Sequence, residues 1–345
     1  MVNGKIGYAV LGLGIGMAHA EAAHLSERAE LCALCDIDED RLSEAHKLFP
    51  EAELYTEFEA LLNDDRVDII SICLPSSMHA DFSVAAMRAG KNVLIEKPVD
   101  ITVKKAELII KAEKETGMIA GVVHQNRFNL NMYPIKEVVD SGRLGKIFLG
   151  TFAVKWYREQ SYYDRGGWRG TWEYDGGGSL MNQAVHTVDL MRYLMGEPVA
   201  VRSYVGIVNH EISTEDLTAS LIEFESGAVA TFVSTTCAYP GISTEICIYG
   251  TDGSIEADAD TIKTWKMKDA EDEDAEEEKM LEIYGKGNAA ASKYVTDRLF
   301  GHRHVVEDMI LAVVENRCPE VSVEDAAKSL RIVEMIYRAA GVIKE

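Results

Sequence analysis

No run of about 18 apolar residues free of glycine and charge occurs in the 345-residue chain, so no membrane-spanning helix is expected. Basic residues are scarce. There are 35 Lys and Arg against 57 Asp and Glu, for a formal charge of -22. A surface of that sign repels nucleic acid and anionic lipid, and both are set aside as partners. Part of the charge is concentrated in DAEDEDAEEE, Asp269 to Glu278, which mutual repulsion predicts to be a solvated hairpin tip or loop. It lacks the glycine and ligand spacing of a calcium loop, and no metal is expected. Cysteine is sparse and scattered, at positions 32, 35, 73, 237, 247 and 318. The one close pair lies in ELCALCD, a predicted strand in which residues three apart point to opposite faces, so these thiols do not pair. Buried thiols suit a reducing compartment, and a cytoplasmic location is expected. Near the start, Lys5, an apolar stretch and AHA imitate a secretory signal. The glycines there, and the strand and helix pattern running straight through, place the stretch within the fold.

What is present is alternation. Up to about residue 123, apolar strands (KIGYAVL, AELCALCD, VDIISICLP, NVLIE, MIAGVVH) are separated by amphipathic helices. Strands apolar on both faces and joined by helices predict a doubly wound parallel sheet. Beyond about residue 145 the period shortens to that of strands with hairpin-like breaks, at Gly227 and at Thr251 to Gly253. A single long helix over GSLMNQAVHTVDLMRYLMG interrupts them. This half predicts an α+β domain with an open, mostly antiparallel sheet, suited to pairing with another copy as a homodimer or homotetramer. The expected division is residues 1–123 for a dinucleotide-binding Rossmann domain and 124–345 for substrate binding and oligomerisation. Two closing helices, about 303–316 and 322–340, are expected to pack back on the first domain.

Three stretches carry chemistry. AVLGLGIGMAHA puts Gly12, Leu13, Gly14, Ile15 and Gly16 at the end of the first strand, opening a helix, where backbone amides meet a pyrophosphate. The strict G-x-G-x-x-G count fails at Met17, which suggests a turn one residue short, with Ala18 providing the close helix packing. Asp36 ends the second strand, 24 residues after Gly12, where a carboxylate accepts ribose hydroxyls; with no Arg directly after it, NAD is favoured over NADP. The second stretch, GKNVLIEKPVD, ends a buried strand on Glu96, Lys97 and Pro98. Ligands of doubly wound sheets bind outside the carboxyl ends of strands, so Lys97 faces the crevice, unless it is only the surface partner of Glu96. In the third, Asn182, His186, Asp189 and Tyr193 form one polar stripe on an otherwise apolar helix. Such a stripe suits a pocket, and a merely satisfied histidine is the alternative.

PSSMHADFSVAAMRAGKNVLIEKPV and GGGSLMNQAVHTVDLMRYLMG strongly resemble the Gfo/Idh/MocA dehydrogenases, over essentially the whole chain. The resemblance implies a Rossmann domain, NAD, and oxidation of a ring hydroxyl of a sugar, nucleotide sugar or cyclitol. It implies Lys97, often before a cis proline, and His186 as the catalytic pair. Leu74, Pro75, His79, Glu96, Gln125, Trp168 and Arg169 join the cofactor set; Arg127, Tyr163, Asn182, Asp189 and His302 join the substrate set. Inositol-dehydrogenase-like members carry Asp where this chain has Asn182, and an amide cannot relay a proton. The wording YYDRGGWRGTWEYDGGGSLMNQAVH lies nearer the sugar and nucleotide-sugar dehydrogenases, including those that oxidise UDP-N-acetylglucosaminuronate. Inositol oxidation, a non-catalytic NAD sensor and a redox-neutral NAD-dependent glycosidase remain as alternatives.

Overall fold

The structure is a computed structural model that describes residues 4–285 and 300–343. By its internal contacts the chain divides into two compact units: residues 1–125 with 301–330, and residues 126–300 with 331–345.

The first unit runs β1 (Ile6–Leu11), α1 (Gly16–His24), β2 (Ala29–Cys35), α2 (Glu39–Leu48), β3 (Glu53–Tyr55), α3 (Phe58–Leu62), β4 (Ile69–Ile72), α4 (His79–Arg88), β5 (Asn92–Ile95), α5 (Val103–Thr116) and β6 (Ala120–Val122). All neighbours are parallel, in the order β3-β2-β1-β4-β5-β6. This is the Rossmann order, which reverses direction between β1 and β4 and opens a crevice at their carboxyl ends. β1 and β4 are buried along their whole length, as a sheet covered on both faces requires. Thr102 caps α5 by accepting from Lys105 N, and Gly117 ends it at φ 71°. The segment 301–330 belongs to this unit: Val122 N donates to Val321 O at 3.0 Å, and a Cβ on Gly301 would lie 2.8 Å from Gln125 O.

The second unit contains α6 (Met132–Asp140), β7 (Ile147–Lys155), α7 (Gln160–Asp164), α8 (Val185–Met195), β8 (Pro198–Gly206), β9 (Leu217–Phe224), β10 (Val229–Thr235), β11 (Ser243–Gly250), β12 (Gly253–Ala257), β13 (Ile262–Met267) and α9 (Glu273–Tyr284). Its sheet has the order β13-β12-β11-β7-β10-β9-β8, with every pair antiparallel except β7 and β10. Along β9 buried residues alternate with exposed ones, so one face holds the core and the other is open. Phe148, Val199, Tyr204 and Leu221 are exposed on these strands.

Two expectations are corrected here. Only the first part of the acidic run, up to Asp272, is a loop; the rest is helical. Asp272 caps α9 by accepting from Ala275 N, and the acids that follow occupy the first turn, where the helix dipole favours negative charge. Arg143 pairs with Asp269 and Glu276, and Lys266 with Asp274 and Glu277, so cations offset the mutual repulsion. The long helix around His186 is also not continuous. Residues Ser179–Gln183 form one π-helical turn, Ala184 bends, and α8 begins at Val185. Such turns recur at functional sites because they re-aim side chains that a regular helix would stack in one row.

Candidate active site

In the first unit the phosphate loop divides its labour among three glycines. Gly12 adopts φ 90°, and a Cβ there would lie 2.5 Å from Cys73 O. Gly14 faces open space, as the approach of a ligand requires. Gly16 packs helix on strand: its Cβ would meet Val10 Cγ1 at 2.7 Å and Cys73 Cβ at 3.2 Å. The packing role expected of Ala18 therefore falls to Gly16, because α1 begins at Gly16 itself. Ile15, beside it, is half exposed, and Leu13 is buried. Asp36 Oδ2 accepts Leu13 N at 2.7 Å and Oδ1 accepts Asp38 N at 2.9 Å, so the carboxylate also holds the loop closed. Arg41 lies 3.7 Å from it.

The Glu96-Lys97-Pro98 corner is braced from two sides. The Lys97–Pro98 peptide is cis. Both ring nitrogens of His79 face carbonyl oxygens, Pro98 O at 2.7 Å and Leu74 O at 2.9 Å, tying this corner to the Leu74-Pro75 turn. Burial lowers the His79 pKa against the pull of those two carbonyls. Glu96 Oε2 accepts Lys97 N at 3.0 Å, and Oε1 lies 3.1 Å from His19 Nε2. His19 Nδ1 meets Ser71 Oγ at 2.9 Å, which meets Tyr8 Oη at 2.6 Å. A donor chain Tyr8 to Ser71 to His19 to Glu96 satisfies every member with a neutral His19, and burial lowers the pKa of that histidine. Burial alone would raise Glu96; His19 and His302 together hold it well below the ordinary carboxylate range. His302 lies in this unit, with Nε2 3.7 Å from Glu96 Oε1, outside hydrogen-bonding range. The Gln125 backbone packs against the adjacent Gly301.

In the second unit, Glu215 anchors the glycine-rich approach to His186. Its buried carboxylate accepts Gly178 N at 3.0 Å, Leu180 N at 2.9 Å and the Tyr337 hydroxyl at 3.1 Å, and its backbone oxygen accepts Ser179 N at 2.9 Å. A Cβ on Gly178 would lie 1.8 Å from Glu215 O, so only glycine fits. Burial pushes the Glu215 pKa up to about 7, against the donors from Leu180 and Gly178. His186 is half buried on the first turn of α8. Asn182 Nδ2 donates to Asp175 Oδ1 at 2.6 Å. Arg127 and Asp189 form a buried two-point pair, Nε to Oδ2 at 2.7 Å and Nη2 to Oδ1 at 2.5 Å. Breaking such a buried pair costs about 3–5 kcal/mol. Tyr163 is buried with its hydroxyl 2.8 Å from Thr236 Oγ1 and its ring against His210. His210 in turn meets Asp216 Oδ2 at 2.9 Å. Arg169 stacks on Tyr162 and Trp168, its guanidinium 4.7 and 4.9 Å from the two rings, beside a cleft of about 550 Å³ bordered by Tyr163, Gly170 and Thr171.

Sequence reasoning missed His19, Asp175, Gln183 and Glu215. His19 faces inward from an alanine-rich helix, and its spacing from the phosphate loop was the available signal. Glu215 carries none: its partners, backbone amides and the Tyr337 hydroxyl, lie 35 to 122 residues away.

A six-stranded Rossmann sheet with a glycine cradle, an acid at the end of β2 and a lysine at the end of β5 defines a dinucleotide-dependent oxidoreductase. The chain belongs to the GFO/IDH/MocA family: residues 6–124 match its NAD-binding Rossmann fold and residues 134–256 its C-terminal domain. It is thus a NAD-binding oxidoreductase acting on CH–OH groups. It is 28% identical over 256 residues to myo-inositol 2-dehydrogenase of Thermotoga maritima, covering 72% of this chain and 74% of that protein. Among solved structures it is similar to the WlbA dehydrogenase of Bordetella pertussis in complex with NADH and UDP-GlcNAcA, at 28% identity and TM-score 0.87, covering 99% of this chain and 97% of that one. It is similar also to the Chromobacterium violaceum WlbA dehydrogenase with the same two ligands, at 30% identity and TM-score 0.88, covering 99% and 95%.

Proposed function

We propose that the protein oxidises a secondary ring hydroxyl of a sugar or nucleotide sugar. The observation that carries this reading is the end-to-end likeness to two dehydrogenases solved with UDP-GlcNAcA, joined to the wording of the segment that holds Asn182 and His186. The Gly12 to Gly16 cradle, open at Gly14, fits a pyrophosphate, and Asp36 stands at the end of β2 for ribose hydroxyls. Bound NAD supplies the hydride acceptor. His186 takes the hydroxyl proton, and a positioned base is worth about 10²–10⁴-fold. Lys97 hydrogen-bonds the same oxygen through Nζ and stabilises its developing charge. Asn182 meets another hydroxyl, while Arg127 and Asp189 hold α8 in place. Trp168 and Arg169 serve the cofactor.

Inositol oxidation is the second reading, favoured by the similarity to the Thermotoga enzyme. The exposed face of the second sheet is proposed to pair copies of the chain into a homodimer or homotetramer. The substrate reading is tested by NADH formation over a panel of UDP-uronates, UDP-sugars, free hexoses and inositols, with NAD and with NADP. Turnover with a sugar class and NAD supports it. Turnover with inositols alone moves the assignment to the second reading, and silence across the panel overturns both.

A further inference from the structure

We propose that Asp175 is a positioning residue of the His186 segment, and that it dictates an amide rather than an acid at position 182. The proposal rests on assigning that segment to the substrate. Asp175 is 1% exposed, and both of its oxygens take donors: Oδ1 accepts Asn182 Nδ2 at 2.6 Å and Oδ2 accepts Gly170 N at 3.0 Å. A carboxylate only accepts, so the Asn182 amide has one possible orientation. That orientation propagates. Asn182 Oδ1 accepts from Gln183 Nε2 at 3.3 Å, and the same nitrogen meets the Tyr162 hydroxyl at 3.1 Å. Tyr162 lies under the Arg169 guanidinium. One buried acid thus sets the direction of a polar chain that crosses the π-helical turn leading to His186.

The chemistry at position 182 follows. An acid there would stand at hydrogen-bonding distance from Asp175, and two carboxylates so close cannot both ionise. Among the titratable and charged groups near the pair are Tyr162 and Arg169 on the loop side and Tyr337 and Glu215 behind the glycines. In an Asn182→Asp variant, one acid of the new pair would therefore have a raised folded-state pKa. A group raised on folding contributes stability below its unfolded pKa and loses it as pH rises through the folded value. Moving the amide to position 175 and the acid to position 182 restores one donor opposite one acceptor.

The test compares Asn182→Asp, Asp175→Asn and the exchanged double variant Asp175→Asn/Asn182→Asp. Thermal unfolding of the full chain is followed from about pH 5.5 to about pH 8.5, with kcat/KM and NAD affinity at each pH. Expected for Asn182→Asp is a Tm that falls with pH more steeply than that of the parent. Its kcat/KM should drop roughly tenfold or more at the alkaline end while NAD affinity stays put. The double variant should regain the parental Tm profile. An Asn182→Asp variant with the parental profile overturns the proposal, as does a double variant no better than the single. The unfolding curves need no substrate, so an inactive parent would sink the functional assignment and still leave the Asp175–Asn182 pairing decided.

Discussion

Glu215 is a buried acid held, among the described residues, by backbone amides and the Tyr337 hydroxyl. Burial lifts its pKa to about 7, so it contributes stability that is complete below the ordinary carboxylate range, near 4.5, and lost as pH rises to about 7. Glu215→Gln removes this titration. The Tm of the variant, compared with the parent at each pH, should improve from about pH 5 to about pH 7 and level off above it, whatever the absolute cost of the exchange. A constant difference across that range would mean that Glu215 is ionised throughout. Because the carboxylate holds Gly178 N and Leu180 N, the same titration bears on the segment that ends in His186. In the first unit, His19 and His79 have lowered folded-state pKa values. Their contribution is present above the ordinary histidine value of about 6.5 and is lost as pH falls below it.

At the scale of elements, the sheet of the first unit was legible because burial on both faces writes itself as unbroken apolar runs, and β1, β4 and β5 fall where those runs lie. The mixed sheet was legible from two-residue alternation and turn residues, as in β9 and β10 across Gly227. Two features were not. The π-helical turn at Ser179–Gln183 departs from helical period by a single residue, and what imposes it, Glu215 and the glycine contacts with its backbone, lies far along the chain. The helix in the acidic run depends on Arg143 and Lys266, which local like-charge repulsion does not reveal. For the site, the chemistry-bearing types Lys97 and His186 could be picked from their positions on a strand end and a helix. The braces His19 and Glu215 could not: they act through partners 35 to 122 residues away.

For the whole molecule, a charge of -22 keeps copies apart at long range, so any association must come from a face with apolar content. The open side of the second sheet has it in Tyr204 and Leu221. Size-exclusion chromatography with light scattering should find a dimer or tetramer, and Tyr204→Asp with Leu221→Asp should shift it towards monomer. A parent that runs as a monomer contradicts the pairing. Under the proposed function, Lys97 and His186 act on one hydroxyl oxygen while NAD accepts the hydride. The most direct measurement is the rate of NADH formation from the substrate found, for the parent, His186→Ala and Lys97→Ala, with NAD affinity measured alongside. The account predicts a kcat lower by about 10²–10⁴-fold in His186→Ala, a clear loss in Lys97→Ala, and NAD affinity preserved in His186→Ala. Turnover within about threefold of the parent in both variants would contradict it.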